Sequence, residues 1–127
     1  MEYVHTVKRM RMTAVLQAID GGNSPGQIEL RTADRMILAT LIMQRPSFYL
    51  VGDDLVLTAP CTGWVTVKGE AVIGTITDGS GNICIDDMSI GVDVTEDNVH
   101  DYEIVLDDNM LEVGNQVTIV TATIEHG

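Results

Sequence analysis

Aromatic residues, cysteine and positive charge are all scarce in this chain. Of 127 residues one is Trp, one is Phe and three are Tyr, so aromatic platforms for sugars are scarce. The two cysteines, Cys61 and Cys84, lie far apart and neither belongs to a CxxC pair. That spacing excludes paired-thiolate zinc and redox motifs. They read as buried thiols in a reducing compartment, and a disulfide between them requires that their strands be neighbours. No run of eighteen apolar residues occurs, so no membrane helix is expected. The opening MEYVHTVKRMRM has no continuous apolar stretch of the secretory kind.

Positive charge is scarce and also misplaced. Residues 1–50 hold six of the seven basic residues against four acids, whereas residues 51–127 hold Lys68 alone against fifteen. Phosphate binding needs clustered Lys and Arg, so a body this acidic is not expected to bind nucleic acid. It should be soluble, and it can be steered toward a basic protein surface.

Catalytic and metal signatures are missing as well. His5, His100 and His126 occupy three separate regions with no HxxxH or HExxH spacing. There is no P-loop, no GxGxxG before a helix and no nucleophile elbow, and no carboxylate pair stands out. Neither an enzyme nor a resident cofactor or metal is expected. Asp78, Ser80 and Asn82 alternate as calcium-loop ligands do, but the sixth-position glycine and the twelfth-position glutamate are lacking. Asp86 and Asp87 adjoin that stretch. Neighbours on a strand point to opposite faces, so the two can clamp one ion only across a bulge.

Val, Ile, Leu and Thr are abundant, and glycines recur throughout. This composition favours strands. The length suits one domain able to bury roughly two-thirds of its unfolded surface without disulfides or metal. Met12, Val15, Leu16 and Ile19 recur as one helical face, predicting a helix over residues 6–19. An extended basic arm over residues 1–11 is the other reading. Lys8, Arg9 and Arg11 sit at the end of that helix where the dipole disfavours cations, which points to an external partner. The run Asp20-Gly21-Gly22-Asn23-Ser24-Pro25-Gly26 should end the helix through a left-handed glycine cap. We therefore divide the chain into a basic arm or helix with its glycine-rich turn, residues 1–26, and a β-domain, residues 27–127.

From Gln27 the period is two. Strands are expected at residues 27–31, 36–43, 47–51, 55–59, 64–68, 71–77, 83–85, 89–94, 103–106 and 116–124. Residues 71–77 and 83–85 flank Asp78-Gly79-Ser80-Gly81-Asn82, whose glycines suit a tight hairpin turn. In the last strand Val117, Ile119, Thr121 and Thr123 should share one face. Both of its faces are uncharged, so it is expected to be central or at an assembly interface. Short strands at roughly ten-residue spacing give a mainly β fold: an antiparallel β-sandwich or jelly-roll-like domain with a short N-terminal helix or arm. An open barrel is the alternative.

The acidic run Asp93, Glu96, Asp97, Asp101, Glu103, Asp107, Asp108 and Glu112 falls largely on turns. It reads either as a solvated rim or as a rim that meets basic residues of a partner. The expected partner-binding residues are Lys8, Arg9 and Arg11 on the basic side and Asp97, Asp101, Asp107 and Asp108 on the acidic side. Such an arm and rim are complementary between copies.

The order of landmarks resembles that of small virion structural proteins of tailed bacteriophages. An N-terminal segment ends in a glycine-rich turn, then come IELRTAD, LATLIM with RPSF, AVIGTITDGSGNICID, EIVLDDNMLEVGNQVTI and a short end. The resemblance spans nearly the whole chain and is closest to the capsid decoration, or cement, proteins. It implies a protein made in the host cytoplasm and carried on the virion surface. There it would bind the outer face of the major capsid protein as a dimer or trimer and stabilise the shell after expansion. No catalytic residue is implied. The acidic C-terminal half and the basic residues Lys8, Arg9 and Arg11 depart from that likeness. A neck or tail structural protein, or a glycan- or calcium-binding β-sandwich module, are the alternatives.

Overall fold

A computed structural model describes residues 4–92 and 102–125. One helix, α1 (His5–Asp20), precedes eleven strands: β1 (Gln27–Arg31), β2 (Ile37–Ile42), β3 (Phe48–Val51), β4 (Asp54–Leu57), β5 (Cys61–Trp64) and β6 (Gly69–Glu70). They continue as β7 (Ile73–Thr77), β8 (Ile83–Val92), β9 (Ile104–Leu106), β10 (Met110–Leu111) and β11 (Gln116–Ile124). The protein is mainly β with one N-terminal helix, as its composition predicts. The extended-arm reading gives way to helix from His5 onward.

The main sheet runs β2-β1-β7-β8-β9-β11-β4-β3, with β5 also on β11. It curls so far that Val65, just after β5, bridges Ala39 of β2. Thr66 then donates to the Leu38 carbonyl at 2.9 Å. The opposed halves of this curled sheet face one another as the layers of a sandwich do, around Ile28, Leu30, Leu38, Leu41, Phe48, Leu55, Ile76, Met88, Ile104 and Leu106. Each such side chain contributes about 1.5–3 kcal/mol over its exposed state. Met12 and Ile19 carry α1 into the same core, and the helix packs on β3, β4 and β8. β3 is one end of the sheet, so the helix packs toward that end of it.

Several local expectations are corrected. Pairing is not wholly antiparallel: β8 and β9 run parallel, Ile90 opposite Ile104 and Val92 opposite Leu106. The strand expected at residues 64–68 lies earlier, at Cys61–Trp64. Beyond it, both Thr66 and Val67 turn their N–H groups to Leu38. Residues 83–85 and 89–92 form one strand, bent where Asp87 takes φ 57. Gly21 at the end of α1 is right-handed, φ −74 and ψ −9. The helix terminus is held instead by Arg45, whose guanidinium donates to the carbonyls of Asp20, Gly22 and Ser24. A cation at those carbonyls answers both their unmet acceptors and the dipole.

The last strand lies inside the sheet, with β9 along one edge and β5 then β4 along the other. Its facing differs from strict alternation. Val117 and Ile119 are buried, but after a register shift between Ile119 and Thr121 it is Ala122 that is buried and Thr121 that is half-exposed. The bulge leaves Val120 on the outside and reverses the phase.

Candidate interaction surface

α1 is an unusually bare helix at its start. Its N-cap, Val4, offers no side-chain hydrogen bond, and the first turn holds no acid. Lys8 is half-buried, while Arg9 and Arg11 are exposed. One compensation comes from outside the helix. Asp53, in the β3–β4 turn, approaches His5 with Oδ2 at 2.6 Å from Nδ1, placing a carboxylate at the positive end of the dipole. Gly52 takes φ 62 in that turn, which glycine allows without steric cost.

Met12, Val15, Leu16 and Ile19 turn toward the sheet. On the flank of the helix, Thr6, Arg9, Met10, Thr13 and Gln17 line a groove of about 450 Å³ with Leu50 of β3. Met10 stands 67% exposed at its rim. The groove thus joins apolar surface to the Arg9 guanidinium, a combination that suits a partner bearing both carboxylates and apolar side chains. The sequence pointed to the cations, but the groove depends on Leu50 arriving from a distant strand, and no helical periodicity encodes that.

The acidic positions are differently placed. Asp97 and Asp101, like Asp93 and Glu96, lie outside the described residues. Asp107 and Asp108 are exposed at the turn after β9. The Asp107 carboxylate accepts from the amides of Asp108 at 2.9 Å and Thr118 at 3.2 Å, and that of Asp108 from Met110 at 3.0 Å. Glu103 accepts from the Ser89 amide at 3.1 Å, and Glu112 lies 3.6 Å from Lys68. These carboxylates shape and brace their own turns while keeping their charge at the surface.

Asp78 closes the β7–β8 turn. One oxygen accepts from the amides of Ser80 and Asn82, both at 2.9 Å, and the other from the Asn82 side chain at 3.2 Å. Those bonds, led by the Asn82 amide, hold its carboxyl below the usual range. The carboxylate is engaged in making the hairpin. Among the described residues no three of His, Cys, Asp and Glu gather around one point.

A bulge makes the Asp86 and Asp87 side chains converge, but on a cation of the protein itself. Opposite Thr75 the chain inserts both aspartates, and they grip the two terminal nitrogens of Arg35 at 2.5 and 2.6 Å. The Thr75 hydroxyl donates to Asp86 at 2.8 Å. The Arg35 bond, then Thr75, then the Asp87 amide bring the Asp86 carboxyl down to about 2, and the pair raises the Arg35 guanidinium in turn. Two adjacent acids inside an otherwise apolar β run were the one sequence signal for this bulge. Their partner, 51 residues away in sequence, gave none.

Cys61 and Cys84 are both free thiols. Burial pushes Cys61 up to about 11. Cys84 is half-buried and is raised too, first by burial and then by the charge of Asp78.

Compared with the known protein families, the curated proteins and the solved structures, the chain matches none.

Proposed function

We propose that the protein is a non-enzymatic structural protein of a tailed-phage virion, of the capsid decoration kind, holding to the outer surface of the major capsid protein. The observation that carries this reading is the segregation of its charge. A basic helix with an apolar groove is mounted on the side of a β-body whose remaining sequence is strongly acidic. A helix of that kind gains stability when carboxylates of a partner approach its first turns, because they neutralise Lys8 and Arg9 and face the positive end of the dipole. The order of landmarks along the sequence, similar to that of phage virion proteins, supports the virion as the particle on which such a surface would work.

Decoration needs little affinity per copy. Many identical weak contacts on a regular shell add by multivalency, and a rigid sheet transmits load between them. Cryo-microscopy of particles made by the encoding phage tests the proposal. Density for this curled sheet on the capsid exterior supports it, and density at the neck or tail moves the same adhesive role to another site. Absence of the chain from purified particles refutes it.

A further inference from the structure

α1 carries two stripes, and the sheet takes only one of them. Met12, Val15, Leu16 and Ile19 are given to the core. Thr6, Met10, Thr13 and Gln17, which line the groove, follow one another at intervals of four, three and four residues. That is the heptad spacing of a seam between packed helices. With successive residues turned by about 100°, Arg9 falls on one side of the seam and Ala14 on the other. The seam runs about 16 Å along the helix axis. Its short side chains, Thr6, Thr13 and Ala14, leave room for a second helix axis at about 8–10 Å. The Thr13 hydroxyl donates to the Arg9 carbonyl within α1 at 2.9 Å, so it asks for no partner in the groove.

Backbone chemistry narrows what fits there. An extended segment would lay its N–H and C=O groups against a helix flank, whose own backbone groups are already bonded to each other. The outer edge of β3 offers no continuous alternative, because it is shut at Phe48, which is fully buried. A helix brings its own hydrogen bonds. Charge narrows the choice further. α1 holds Lys8, Arg9 and Arg11 and a single acid, Asp20, at its far end, on a chain whose net charge is −12. The body repels an acidic partner and the start of α1 attracts one. We infer that the groove receives an acidic α-helix of the partner, with apolar side chains at heptad spacing set against Met10 and Leu50 and a carboxylate meeting Arg9. The inference rests on reading α1 as the partner-binding surface, and it adds which kind of element docks there.

A synthetic peptide of about 18 residues, long enough to be helical, serves as the probe. It carries leucines at heptad spacing, glutamates beside them and alanine elsewhere. A second peptide has proline at its central alanines and cannot form the helix, and a third has lysine for glutamate. Anisotropy of each labelled peptide, titrated with the full chain, gives affinity, and circular dichroism gives the helix content. The expected result is saturable binding of the helical acidic peptide with a gain in helix signal, and binding at least about tenfold weaker for the other two. Ala14→Gln fills the groove without a change of charge, and Gln17→Glu sets a carboxylate in the seam. Both positions are exposed, so the melting curve should be retained while affinity for the helical peptide falls about tenfold. No binding of the helical peptide overturns the inference. So does equal binding of the proline peptide, or wild-type affinity in both folded variants. A chain that binds expanded heads but not the helical peptide removes the docked helix and leaves the virion proposal standing. A chain that binds the peptide as expected but is absent from particles does the reverse.

Discussion

At the residue scale, the Arg35–Asp86–Asp87 clamp is the clearest case of a side chain set by its surroundings. The Asp86 carboxyl is held at about 2 against its ordinary 3.8, so the folded state binds that proton less readily than the unfolded state does. The stabilisation is therefore whole above 3.8 and is lost as the pH falls through 2. Thermal melts from neutral to acid pH should show a decline in that window, and Asp86→Asn should flatten it while lowering stability at neutral pH. An unchanged acid limb in Asp86→Asn would remove the clamp from the account. The thiols give a second test. With Cys61 buried and raised to about 11 and Cys84 half-buried, a disulfide-exchange reagent should label Cys84 alone in the native protein, slowly. Both should react at once in denaturant, and Cys84→Ser should abolish native labelling.

At the element scale, most strands were legible, because hydrophobic residues alternate at period two and glycine or aspartate marks the turns. β1, β2, the β3–β4 hairpin, the β7–β8 turn and the limits of β11 follow from those signals. What was not legible depends on long-range partners. The Gly21 cap lost to Arg45 because a guanidinium from the segment before β3 met the helix carbonyls first. The facing of β11 changed at Val120 because β9 imposed a bulge that alternation cannot record. The strand expected at residues 83–85 stopped short of Asp86-Asp87, because the arginine that these acids hold lies 51 residues away in sequence. Beside the parallel pairing of β8 and β9, the ring of Tyr102 lies directly on Gly91. Gly91→Ala should drive a methyl into that ring and cost about 1–3 kcal/mol in urea unfolding. Tyr102→Ala in the same chain should restore much of the loss. If Gly91→Ala unfolds at the wild-type midpoint, the ring is not seated there. Of the candidate interaction surface, the cations of α1 could be read from sequence. The groove that gives them an apolar floor could not, since Leu50 belongs to another element.

At the scale of the whole molecule, opposite charges have been sorted onto different parts of one rigid body. α1 accepts an electrostatic cost to keep Lys8 and Arg9 near its positive end. Lys8→Glu with Arg9→Glu should raise the stability of the free protein by about 0.3–1 kcal/mol, a gain that chemical denaturation can resolve. A change that stabilises the protein yet removes its activity is the signature of residues kept for a partner. The most direct test of the proposed virion role is add-back of purified protein to expanded heads of the encoding phage deleted for the gene, followed by co-sedimentation over a range of salt. If the proposal holds, the wild type binds saturably and less as salt rises, and Lys8→Glu with Arg9→Glu binds little at physiological salt. Failure of the wild type to bind the heads, or equal binding by the variant, would contradict it.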